Sequence, residues 1–116
     1  MLKILGQSQG NIIAIKVVEH FAKTDYRALL PIIVNRHNAF KQIKWYIEIE
    51  SFTEDELKRF INSLRSEFEY NEKFVKIAMA VDEKWQNMIS TFVTQTTGVR
   101  FFSLGDNVSA FNWLKS

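Results

Sequence analysis

Residues 74–103, FVKIAMAVDEKWQNMISTFVTQTTGVRFFS, constrain the fold of this chain more tightly than any other stretch. Val75, Ile77, Met79 and Val81 alternate along an eight-residue run, the period of a strand with one strongly apolar face. Trp85, Met88, Ile89 and Phe92 then recur at helical spacing, and Val99 to Phe102 return to strand character. A strand, helix, strand run of this length is a crossover unit, whose strands pair in parallel and whose connection is right-handed.

Earlier segments read as previous turns of the same winding. Leu2 to Leu5 form a short apolar strand, residues 6–11 have turn composition with Gly10 among them, and a second strand runs from Ile12 to Glu19. So short a connection cannot cross over, so these two strands form an antiparallel hairpin and the sheet is mixed. Thr24 and Asp25 then cap a helix with a stripe of Tyr26, Leu29, Leu30, Ile33 and Val34, and with Arg36 and His37 near its negative end. Pro31 lies inside that stripe, where a missing donor and a ring clash predict a kink or a restart.

The third strand, Ile43 to Glu50, has two unlike faces. Trp45, Ile47 and Ile49 point one way, and Tyr46, Glu48 and Glu50 the other. Parallel strands buried on both sides read as continuous apolar runs, so one face of this sheet is partly wet. The other strands agree, with Lys16, Lys76 and Arg100 opposite in parity to their apolar neighbours. The helices therefore pack mainly on the other face. A second helix opens at Thr53 with Glu56 three residues later, a capping box, and buries Leu57, Phe60, Ile61, Leu64 and Phe68. Asn71 and its neighbours turn into Phe74, and a last helix over Val108 to Leu114 presents Phe111, Trp113 and Leu114 to the sheet.

Composition limits the function classes. The 116 residues, 47% hydrophobic with three Trp and ten Phe, form one domain (1–116), at a size that buries roughly two-thirds of the unfolded surface. With no Cys, disulfides and thiolate metal sites are excluded, and a reducing cytoplasm is the expected setting. No signal-peptide pattern and no run near the ~18 apolar residues of a membrane span is expected to act here. Fifteen basic and thirteen acidic residues are interspersed, which gives no footprint for nucleic acid; Arg36, His37, Lys41 and Lys44 cluster, but only Phe40 could stack among them.

Chemistry-bearing motifs are scarce. His20 and His37 lie near no ligand pair, there is no Gly-rich phosphate loop, no G-x-S-x-G elbow and no nucleophilic Cys, so no enzyme, metal or cofactor is expected. Glu48 and Glu50, about 7 Å apart on one side of a strand, could pass for an acid and base, but ion pairing with Lys16, Lys76 or Arg100 explains them more simply.

The segments FAKTDYRALLP, KWYIEIESFTEDEL, VDEKWQNMI and AFNWLKS, in that order over nearly the whole chain, resemble the SpoIIAA-like family of bacterial proteins. That family is related to the STAS domain, the fold of anti-sigma-factor antagonists. The resemblance implies an α/β β-α superhelix: a mixed five-stranded sheet, with an antiparallel hairpin followed by parallel strands, and about four helices mainly on one face. It also implies a non-enzymatic role in binding or regulation. In phosphorylatable antagonists a Ser or Thr in an Asp-Ser-rich motif starts the helix after the third strand, where this chain has Glu50, Ser51, Phe52, Thr53, Glu54, Asp55 and Glu56. The motif is absent, four carboxylates would oppose a phosphate, and Thr53 reads as a cap, leaving Ser51 and Thr53 as a candidate regulatory rim.

Two functions from different classes follow. One is a protein-interaction module that binds a partner or a second copy, forming a homodimer, through the wet face of Lys16, Tyr46, Glu48, Glu50, Phe74, Lys76, Arg100 and Phe102. The other is a carrier of a small apolar or lipid-like ligand, suggested by the aromatic count, although those aromatics fall at positions the core needs.

Overall fold

The computed structural model describes residues 2–18, 23–40, 42–50, 53–60, 62, 74–93 and 98–116. It is an α/β fold whose five strands lie in the order β1-β2-β3-β4-β5: β1 (Leu2–Ile4), β2 (Ile12–Val18), β3 (Ile43–Glu50), β4 (Phe74–Ala80) and β5 (Val99–Phe102). β1 and β2 pair antiparallel and all later neighbours pair in parallel, as the hairpin and crossover spacings predict. The helices are α1 (Lys23–Ala39), α2 (described over residues 54–60), α3 (Glu83–Val93) and α4 (Asn107–Lys115).

Because the strand order never reverses, right-handed crossovers put α1, α2 and α3 on one face. The larger core lies there. Ile13, Trp45, Ile77 and Val99 form one cross-strand row, and Ile15, Ile47, Met79 and Phe101 the next, with Leu29 and Ile33 of α1, Leu57 and Phe60 of α2 and Ile89 of α3 packed over them. A smaller cluster on the opposite face joins Ile12, Ala14, Tyr46, Ala78 and Ala80 to Ala110, Phe111 and Leu114 of α4. Four alanines among eight buried side chains let α4 approach the sheet closely.

Local chemistry accounts for the helix ends. The Glu56 backbone N–H donates to Thr53 Oγ1 at 3.3 Å, so Thr53 is a cap as its spacing predicts. Asp82 does the same for α3, accepting from the Lys84 N–H at 3.2 Å. Of the kink or restart expected at Pro31, the restart does not occur: α1 is one helix from Lys23 to Ala39 with the proline inside it. Pro31 is exposed, so the carbonyl of Arg27 that loses its helical donor lies on the solvent side. Val34, assigned by spacing to the buried stripe, is 53% exposed. Tyr26, Ile61, Leu64, Phe68, Met88 and Phe92, also assigned to stripes, lie outside the described side chains, as do Glu19 at the end of the second strand and the turn at Asn71.

Candidate functional site

The face opposite the three crossover helices carries the residues that the alternating strand pattern singled out. Register places Lys16 beside Glu48, Tyr46 between Ala14 and Ala78, and Lys44 beside Lys76. Two lysines in register on one face repel, and a single element relieves both. Lys44 Nζ donates to the Leu114 carbonyl at 2.5 Å, while Lys76 Nζ donates at 2.9 Å to the carbonyls of Trp113 and Ser116 and to Ser116 Oγ. Their charges thus meet carbonyls at the C-terminal end of α4, among them that of Trp113, which also accepts the Ser116 backbone N–H at 3.2 Å, and the helix dipole favours cations there. Lys76 also lies 5.2 Å from the Trp113 ring centroid, and Arg100 stands over Phe102 and Trp113 at 5.5 and 5.9 Å.

This arrangement divides the expected binding face in two. Tyr46 is only 1% exposed, with the Phe111 ring at a centroid distance of 4.5 Å, and Lys76, Arg100 and Phe102 are engaged with α4. Lys16, Glu48 and Glu50 form the other half. Lys16 Nζ bridges Glu48 Oε2 at 3.3 Å and Glu50 Oε2 at 3.1 Å, and Tyr46 donates its hydroxyl to Glu48 Oε1 at 2.8 Å. The two carboxylates are therefore ion-paired by Lys16, one of the three cations that spacing offered, whereas Lys76 and Arg100 serve α4. The Phe74 side chain, Ser51, His20, Lys41 and the His37 side chain lie outside the described set.

Electrostatics follow from these contacts. Hydrogen bonds to Glu50, then to Glu48, raise the Lys16 ammonium above its ordinary value, so it stays charged throughout the physiological range. Burial, reinforced by the bond to Glu48, pushes the Tyr46 phenol well above its ordinary range and keeps it a neutral donor. Among the described residues, no group of three or more His, Asp or Glu side chains is placed to hold a metal ion. Arg36, assigned by sequence to a basic patch or helix end, instead donates to the carbonyls of Gly10 (2.6 Å) and Ser8 (2.8 Å) and ties α1 to the β1–β2 turn.

A groove of about 650 Å³ lies between that turn and one side of α4. Gln7, Asn107, Val108, Asn112 and Lys115 are among its walls, with Ile12 and Phe111 at its apolar base. Spacing alone does not single these residues out, because the polar stripe of a short amphipathic helix reads as a solvated face. The one available signal is the Asn107, Asn112, Lys115 stripe running beside the stripe that packs on the sheet.

A family model described as SpoIIAA-like matches residues 12–115, and the chain belongs to that family. Comparison with curated proteins and with solved structures gives no match.

Proposed function

We propose that this SpoIIAA-like chain is a non-enzymatic protein-interaction or regulatory module of the cytoplasm, and that its partner, a different protein or a second copy, meets the surface of Lys16, Glu48 and Glu50. One observation carries this reading: α4 packs over β3, β4 and β5 and leaves these three charges, already locked to one another, at the surface beside it. Side chains held in an ion-paired network lose little further freedom on binding and present a fixed charge pattern, which favours specificity over raw affinity. Family membership supports the reading, since STAS-like domains typically work through protein partners. Thr53 at the start of α2, and Ser51 before it, are the candidate regulatory rim. Among the described strands, the order has no reversal at which an open α/β sheet would form its ligand crevice.

Native mass spectrometry at several concentrations, repeated under denaturing conditions, is the first test. A clean monomer or dimer mass is expected. Excess mass that vanishes on denaturation would replace this reading with a carried small ligand. Partner capture then compares wild type with Glu50→Lys, whose carboxylate side chain is 46% exposed. At low salt the substitution should weaken capture at least tenfold, and unchanged capture would move the contact off this surface. Lys76 is the wrong position for charge reversal, because it holds α4.

A further inference from the structure

The groove beside α4 has a composition suited to one kind of ligand. Asn107, Val108, Phe111, Asn112 and Lys115 follow one another at helical spacing along the full length of the helix. With 1.5 Å rise per residue, that side of the groove is about 12 Å long. An extended chain advances ~3.3 Å per residue, so roughly four residues would lie along it. The side-chain amides of Gln7, Asn107 and Asn112 make no hydrogen bond among the described residues, and each offers both donors and an acceptor. This is the pattern a peptide main chain presents in reverse. Among the described residues, Lys115 is the one formal charge lining the groove and has no ion-pair partner. Val108 is 69% exposed and lines the groove together with Ile12 and Phe111 of its base.

We propose that this groove docks an extended acidic peptide segment of a partner protein. The free carboxamides pair with the peptide main chain, an apolar side chain of the peptide covers Val108, and a carboxylate meets Lys115. A lipid tail would strand the amides unpaired, and a phosphate group at the N-terminal amides of α4 would lie a helix length away from Lys115, the cation in the lining. The inference rests on the protein-binding reading above but uses a different surface from Lys16, Glu48 and Glu50.

The probe is a library of acetylated hexapeptides randomised at four positions, made with glutamate or with lysine at the two fixed positions, and tested on the full chain. The glutamate library should be retained preferentially, with amide shift changes confined to the β1–β2 turn and residues 107–115. Lys115→Gln and Val108→Asp, both at exposed positions, should each weaken binding at least tenfold while leaving the melting temperature within a few degrees. Equal retention of both libraries, or shift changes that map elsewhere, overturns the proposal. Glu50→Lys separates the two readings: it should spare peptide binding, so loss of the groove alone leaves the charged surface standing, and the reverse holds as well.

Discussion

Replacing Lys76 by Met keeps the aliphatic stem and removes the charge that holds the end of α4. Three hydrogen bonds of 2.9 Å and a cation–π contact at 5.2 Å are lost together. A cation at a helix C-terminus contributes about 0.3–1 kcal/mol and up to ~2 when partly buried. The contact with Trp113 adds ~0.5–1 kcal/mol at an accessible site. Relief of repulsion from the neighbouring Lys44 returns a few tenths, roughly, and Lys44 still grips Leu114. The net loss is about 1–2 kcal/mol, concentrated in one helix. Amide hydrogen exchange reads it directly, since 1–2 kcal/mol corresponds to roughly 5- to 30-fold faster exchange through local opening. Residues 110–116 should show that increase while the β2 amides from Ile13 to Val17 keep most of their protection. Lys84→Met is the control, because the Lys84 ammonium lies 5.3 Å from the Trp85 ring but bonds no helix carbonyl among the described residues; its effect should stay below ~1 kcal/mol. Unchanged α4 exchange in Lys76→Met, or an equal loss across β2, would refute the clamp.

Tyr46→Phe removes the buried donor to Glu48 and should cost about 1–2 kcal/mol in denaturant unfolding at neutral pH. It should also flatten the alkaline loss of stability. The raised phenol keeps its proton in the folded chain while the unfolded chain releases it, so stability is full below about pH 10 and falls as pH rises above it, by at most ~1.4 kcal/mol per unit; an identical slope in the variant would refute this. Pro31→Ala restores a donor at an exposed position within α1 and should raise stability by about 2 kcal/mol, allowing for the unfolded-state entropy that proline removes; a lower melting temperature would show that the proline is accommodated at no cost. Thr53→Ala should cost ~1 kcal/mol through loss of the α2 cap, and an unchanged denaturation midpoint would remove that role.

The period-2 alternation of β3 identified the two faces correctly because a strand cannot change which side chains share a face without slipping register. For the same reason Lys16, Glu48 and Glu50 were legible as one cluster. The destination of Lys44 and Lys76 was not. Their partners are main-chain carbonyls of a helix some 40 to 70 residues away, and a carbonyl leaves no mark on the residue type. Tyr46 was consequently read as a surface aromatic, although it sits beneath Phe111. No restart occurs at Pro31: its propensity penalty is real, but it sits on an exposed helix face whose opposite side, with Leu29 and Ile33, is packed in the core. The groove residues were illegible because free carboxamides on a helix look alike whether they face a ligand or water.

The monotonic strand order also bears on the sequence of assembly. Ile13 meets Trp45, Trp45 meets Ile77 and Ile77 meets Val99, so each parallel pairing joins residues 22 to 32 positions apart, and each strand can add to the one before it. The bond from Lys44 to Leu114 closes a separation of 70 residues. Doubling a loop costs about 0.6 kcal/mol of closure entropy, so early capture of α4 by β3 is disfavoured until the strands between them have shortened that path. Folding should therefore bring α4 down last, onto a finished sheet, and transition-state analysis should find Phe111 near zero while Trp45 and Ile77 score high.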